Sequence, residues 1–217
     1  MMFEQWIEWL PDLLGGLVVS LALTGCVAAV GFPLGLVFGL LGSQQKSRVV
    51  RNVFIVIVEI FRGIPLLAVI YLLYFGLPST GITLSGFVTM VIAHGLNQAA
   101  YSSEVFRAGI LHVGAGQREA FASLGITPVK GFFHVVLPQA LRAVLGPLMS
   151  LLIMAFQSSS LAYAIGVSEL TNRAFSIGAI TFQYFNVLAL AGVIYAVIAI
   201  ACSRIVSNVE ERLKVVR

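Results

Sequence analysis

Thirty consecutive residues without a charge, 13–42, set the first limit on what this chain can become. Crossing the hydrocarbon core of a bilayer takes about 20 apolar residues, so the run is long enough to span one. Inside it Gly31, Gly35 and Gly39 recur at every fourth place. Residues four apart share a helix face, so the glycines make a smooth stripe on which a second helix can lie close. The whole chain is of the same character. Of its 217 residues, 59% are hydrophobic and 10% charged, against about a quarter charged in a soluble domain. That leaves too little polar material for a separate soluble domain, and one membrane domain over 1–217 is expected.

Further all-helical crossings are expected at 52–77, 84–110, 139–166 and 184–203, making five with the first. Residues 1–12 carry Trp6, Trp9 and three acids and no Lys or Arg. This reads as an interfacial lead-in and not as a cleavable signal. Lys46, Arg48 and Arg51 mark a cytoplasmic loop, and Pro78 with Gly81 marks a short turn. Arg204, Arg212, Lys214 and Arg217 make a basic tail. Of the 13 Lys and Arg residues only Arg173 falls in a segment assigned outside, 167–183, where Glu169 also lies. The N-terminus is therefore expected outside and the C-terminus inside. The net charge of +4 reflects these basic loops, not a nucleic-acid partner. Cys26 and Cys202 lie in apolar runs far apart, a poor disulfide framework with no metal-ligating neighbours.

Several polar residues fall inside the crossings, where charge is costly and must pair or face the protein interior. Glu59 and Arg62 stand three apart on one helix face, just before Gly63 and Pro65 break the ladder. Glu104 and Arg107 repeat that spacing. Asn97, Tyr101 and Glu104 share a face, with Gln98 beside it, while His94 reads as a packed, hydrogen-bonded residue. Gln157, Ser158, Ser159 and Ser160 interrupt the fourth crossing. Hydroxyls can bond carbonyls one turn back, whereas Gln157 needs a partner or a watery cavity.

The longest interior stretch that does not read as membrane lies within 111–138. A short helix is expected from about Gln117, with Glu119 in its first turn complementing the helix dipole. Gly125 is suited to a positive φ just past that helix, and Pro128 to the start of a second one. This segment resembles the Glu-Ala-Ala loop of the membrane subunits of ATP-binding-cassette importers. Glu119-Ala120-Phe121, Gly125, Val135 and Leu137-Pro138 keep its spacing, with Phe121 in place of Ala and Val135 in place of Ile. Glu59-Ile-Phe-Arg62-Gly-Ile-Pro65-Leu and the run from Asn97 to Gly109 are similar to the polar amino-acid permeases of that class. These include the histidine, glutamine and glutamate/aspartate permeases. Where such permeases carry Lys-Asp-Thr-Ser-Leu, this chain has Gln157-Ser158-Ser159-Ser160-Leu161, without the charged pair.

The resemblance implies a type I permease core in a bacterial cytoplasmic (inner) membrane, importing a polar amino acid with a lean to glutamate or aspartate. It implies two ABC ATPase subunits docked at Glu119, Ala120, Gly125, Leu137 and Pro138. A second permease, identical or not, and an extracytoplasmic substrate-binding protein would complete the complex. No Walker-type GxxxxGK[ST] sequence occurs, so ATP and Mg would sit on the partner. The chain itself is expected to have no catalytic residue, cofactor or metal. Asn97, Gln98, Tyr101, Gln157, Ser158 and Ser159 are the candidate path residues, and bonding between neighbouring helices is the alternative for each. Glu59, Arg62, Glu104 and Arg107 are read as structural intramembrane charges. An ion-coupled secondary transporter, or a membrane scaffold or channel subunit, are the other classes open to such a chain.

Overall fold

A computed structural model describes residues 2–44 and 48–214. Among these every regular element is a helix. The first, α1 (Met2–Gln44), runs 43 residues unbroken through Pro11 and Pro33, about 65 Å of helix. The lead-in expected over 1–12 is thus not a separate element: from Met2 onward it forms the opening turns of α1, and Trp9 is already in the core. Buried positions follow at Leu13, Leu17, Ser20, Leu23, Val27, Gly31, Gly35 and Gly39. Their three-to-four spacing makes one continuous seam along the helix.

That seam receives α4 (Gly86–His112), which Ser85 caps through a bond from the Val88 N–H at 3.4 Å. At Gly31 an added Cβ would lie 2.7 Å from the Gln98 side chain; at Gly39 it would lie 2.7 Å from the Ser103 carbonyl. The Ser102 hydroxyl crosses the seam to the Gly31 carbonyl at 3.3 Å. The glycine stripe is therefore the bed on which α4 lies, and Gln98 is buried in it.

Between them, α2 (Arg48–Gly63) ends where Pro65 cannot donate, and α3 (Leu66–Tyr71) leaves at a sharp angle. The bend between Arg51–Gly63 and Leu66–Thr80 is 96°. The chain then tightens through a π turn, Leu72–Gly76, and a 3-10 turn, Leu77–Thr80, closed by Gly81 at φ +85°. A helix carbonyl four places before a proline loses its donor. For Pro65 that carbonyl belongs to Phe61, and the Asn97 side chain supplies the missing donor at 2.8 Å. The Tyr101 hydroxyl likewise reaches the Arg62 carbonyl at 3.4 Å. Asn97→Ala should leave the Phe61 carbonyl bare and cost about 1–3 kcal/mol. A lower melting point of the detergent-purified chain would register this, and Asn97→Asp, which replaces donor by acceptor, should do no better.

Beyond α4 come α5 (Ala115–Ser123) and α6 (Pro128–Gly131). A π turn, Phe132–Val136, carries α6 directly into α7 (Leu137–Ser158). A 3-10 turn, Ser159–Ile165, prolongs it, so one helical path covers Pro128–Ile165. The segment assigned outside, 167–183, is mostly helix: α8 (Leu170–Thr181). The last helix, α9 (Tyr184–Lys214), includes the basic stretch from Arg204 to Lys214.

By length and apolarity α1, the Pro128–Ile165 path and α9 can each cross a bilayer, and the bent pair at Pro65 is a possible fourth. At 27 residues α4 reaches about 40 Å, also enough. Its polar side chains lower its mean hydropathy below that of α1, the Pro128–Ile165 path and α9. The core explains why they are tolerated: α4 lies between α1 and α7, with Phe106, Val144 and Leu148 packed on one side and Gly109 facing Val144. Cys26 and Cys202 are free and exposed on α1 and α9.

Candidate functional site

Three places bring together the polar residues singled out in the sequence. The first is the elbow between α5 and α6. Its helix begins at Ala115, capped by Gly114, two residues earlier than expected, so Glu119 lies past the first turn and outside the reach of the dipole argument. The exit is as expected. Gly125 takes φ +69°, its N–H bonds the Ala122 carbonyl at 3.0 Å, and the Ile126 N–H bonds the Phe121 carbonyl at 3.0 Å. This pair of bonds is the Schellman closure, which needs a left-handed residue where Gly125 stands. Pro128 opens α6.

Phe121 is the anchor of the elbow. Its ring joins the cluster of Ile110, Val113, Val136 and Ala140 and lies flush on Gly131, where an added Cβ would come within 2.5 Å of it. The departure from Ala at this position is thus matched by a glycine opposite. The outer side carries Glu119, Ala120 and Gly125, all exposed, together with Leu124, 77% exposed, and Val129, 67% exposed. Leu137 is half-buried and Pro138 exposed. Both lie in the helical path, not at the end of a loop, because the π turn shifts the ladder just before Pro138.

The second place is an open pocket of about 340 Å³ between the end of α7, α8 and α9. Gln157, Ser160, Thr171 and Tyr195 give it polar walls, and Leu188, Ala191 and Gly192 apolar ones. Ser159 and Ser160 bond the carbonyls of Phe156 and Gln157 at 2.7 and 2.8 Å, as back-bonding hydroxyls do. Gln157 is exposed and lines this pocket.

Behind the cavity wall lies a buried carboxylate that sequence reasoning placed only in an outside loop. Glu169 is fully buried. It caps α8, accepting from the N–H groups of Thr171 and Asn172 at 2.8 Å each. Tyr195 donates to it at 2.9 Å and Ser20 at 3.4 Å. Ser20 in turn accepts from the Leu170 N–H at 3.3 Å, and Thr171 meets Tyr195 at 3.3 Å. Burial pushes the Glu169 carboxyl above the ordinary carboxylate range, and these hydrogen bonds pull it back. One side chain so fastens α8 to α1 and α9 and fixes two walls of the cavity. Glu169→Ala should strand two N–H groups and cost on the order of 3 kcal/mol. The expected readout is a fall of several degrees in the apparent melting point in detergent, with Glu169→Gln between it and the parent. A second tie, Arg173 to Asp12 at 2.8 Å, joins α8 to α1 nearer the surface.

The third place is the α2–α4 face. Arg62 donates to Glu59 at 3.0 Å and lies over the Tyr101 ring, 5.5 Å from its centre. Glu104 and Arg107 form a closed fork, with Nε at 3.2 and 3.1 Å from the two carboxylate oxygens and Nη2 on the second. The candidate path residues are therefore divided. Asn97 and Tyr101 close the α2 break, Gln98 lies in the α1–α4 seam, Gln157 faces the cavity, Ser158 is half-buried, and Ser159 is buried on its own helix. His94 is packed as expected, but its Nδ1 has no partner among the described residues.

Comparison with known proteins matches residues 31–215 to the family described as binding-protein-dependent transport system inner membrane component. The arginine transport system permease protein ArtQ of Bacillus subtilis is 35% identical, over 98% of this chain and 97% of its own. The L-cystine transport system permease protein TcyB of the same organism is 38% identical, over 94% and 87%. Among solved structures, a crystal structure of an amino acid ABC transporter with histidines superposes with a TM-score of 0.89. It is 32% identical and covers 97% of this chain and 98% of that one.

Proposed function

This chain belongs to the family of binding-protein-dependent inner membrane transport components and is an amino-acid ABC transporter permease, and from that premise we propose how it works. It carries a polar amino acid inward across a bacterial cytoplasmic membrane, as one of two permeases, identical or not, that share the path. Five crossings serve: α1, the bent α2–α3 pair, α4, the α6–α7 path and α9. The N-terminus lies outside and the C-terminus inside. Arg48, Arg51, Lys130 and Arg204 then fall on the inner side, and Arg173 with α8 on the outer side, where a substrate-binding protein delivers cargo.

The observation that carries this reading is the α5–α6 elbow. It is rigid by its Schellman turn and its Phe121 anchor, and it presents Glu119, Leu124 and Val129 outward. Two ATPase subunits, each binding ATP and Mg, grip the two elbows. Their closure and opening move α4 and α7, to which the elbow is packed. The chain itself carries no hydrolytic chemistry.

For the cargo station we take the cavity at Gln157, Ser160, Thr171 and Tyr195. These groups offer donors and acceptors to an α-carboxylate or α-ammonium. The lean to glutamate or aspartate finds no cation in that lining. An acidic cargo would take its positive partner from the second permease. Relatives named for arginine and for cystine leave cargo charge free to vary within the family. The test is a tagged purification in mild detergent, with co-purifying subunits identified. Reconstitution follows, with ATP hydrolysis measured against a panel of L-amino acids and binding proteins. An ATPase in the complex, and hydrolysis stimulated by one polar amino acid, is the expected result. A chain that purifies alone and moves amino acids on an ion gradient would overturn it.

A further inference from the structure

The α2–α4 face holds two Glu–Arg pairs of the same spacing but of different state. Arg107 meets both oxygens of Glu104 and the pair is closed. Among the described residues Arg62 meets Glu59 through Nη1 alone, and its buried Nε has no partner. A guanidinium carries five N–H donors, and a carboxylate accepts on both oxygens. Beyond that bond the Glu59–Arg62 pair thus keeps, among the described residues, one cationic and one anionic end unpaired side by side. The side chains are 62% and 35% exposed. An exposed charge pair at the middle of a crossing does not face lipid. Along α2, Arg48, Arg51, Asn52, Glu59 and Arg62 fall within one stripe at 100° per residue. Exposed Val49, Val53, Val56 and Ile60 occupy another side, suited to lipid.

Resting on the permease reading above, we propose that Glu59 and Arg62 form a station for the amino-acid main chain. The cargo's α-carboxylate lies on Arg62 and its α-ammonium on Glu59. A zwitterion and an ion pair are each neutral overall, so the match adds two charge-assisted hydrogen bonds without gathering net charge in the membrane. Tyr101 holds the guanidinium plane from below, and the Asn97 and Tyr101 bonds to the α2 carbonyls fix the helix end that carries it. Tyr101 stands about 16 Å from the His112 end of α4. The station therefore lies near the membrane centre, inward of the α7–α9 pocket, where cargo leaving that pocket passes. It reads the main chain common to all amino acids and leaves side-chain choice to the cavity and the binding protein.

The test uses the full co-purified complex in proteoliposomes, with the radiolabelled amino acid that the parent complex carries. Arg62→Gln should lower the maximal uptake rate about tenfold, and Arg62→Lys should recover a good part of it. The KM, set at the binding protein, should hold. The swap Glu59→Arg/Arg62→Glu keeps an ion pair for folding but reverses its direction, so it should assemble in normal yield and still transport about tenfold more slowly. Near-parental uptake by the swapped complex, or by an assembled Arg62→Gln complex, would overturn the station. A parent complex that moves no free amino acid would instead strike the permease reading itself.

Discussion

Gly35→Leu should nearly abolish accumulation of the folded chain, whereas Gly25→Leu on the same helix should leave it close to the parent level. At Gly35 an added Cβ would collide with the Ser102 hydroxyl and lie 2.9 Å from the Ala99 carbonyl. The hydroxyl could rotate away only by giving up its bonds to the Gly31 and Ala99 carbonyls, each at 3.3 Å. The Ala99 carbonyl is backbone and cannot rotate away at all. The helices must therefore part, and Gly31 and Gly39, which sit equally tight on α4, part with them. Overpacking a close-packed site costs about 1–3 kcal/mol even where relief is available. Here the strain spreads along the whole seam. At Gly25 nothing among the described residues lies within 4 Å of the added Cβ, and leucine gains roughly 1 kcal/mol of helix propensity over glycine. Fluorescence-detected size exclusion of tagged variants measures both. Equal yields from the two would mean that the α1–α4 approach does not hold the fold together.

What the sequence disclosed about this fold was local. A glycine at every fourth place is a helix-face pattern, and it announced a close neighbour without naming α4. Gly125 and Pro128 act on their own dihedral angles, so their turn and helix start were readable where they stood. The start of α5 was not, because Gly114 is a weak cap signal and the polar Gln117 a more conspicuous one. Leu137-Pro138 looked like the end of a loop, since proline lacks a donor, yet a π turn just before it lets the helix continue.

The functional residues divide along the same line. The polar face of Asn97 and Tyr101 was visible, but its destination, the Phe61 carbonyl freed by Pro65 and the Arg62 carbonyl at the helix end, lies 36 and 39 positions back in the chain. Glu169 was visible only as a charge in a loop. Its burial depends on Ser20, 149 positions away, and on Tyr195, 26 positions on. No periodicity reports a contact of that kind. A cap signal before α8 would have been the cue, and a glutamate is not among the side chains most favoured as an N-cap. The α5–α6 elbow was the opposite case. Its spacing pointed to a docking role by resemblance alone, while the Phe121–Gly131 contact that shapes it was not readable.

Glu119→Lys should break coupling while leaving the permease itself whole. Glu119 is exposed on α5, away from the Phe121 side that anchors the elbow, and its neighbours Ala120 and Leu124 are exposed as well. A residue with that setting contributes little to the fold, and surface substitutions of this kind change stability within about 0.5 kcal/mol. The cost arises only at the docked ATPase. If Glu119 pairs there with a basic side chain, reversal sets two like charges together at a desolvated contact, which costs several kcal/mol. At about 1.4 kcal/mol per factor of ten, the ATPase should be lost from the purified complex and uptake fall at least tenfold. Membrane insertion and the melting point of the permease alone should match the parent. Gly131→Leu gives the converse: a side chain there would meet the Phe121 ring. It should loosen the elbow and weaken docking with Glu119 still in place. If instead the Glu119→Lys complex keeps its ATPase and its uptake rate, the elbow's acidic residue is not part of the contact. Docking would then rest on the apolar pair, Leu124 and Val129.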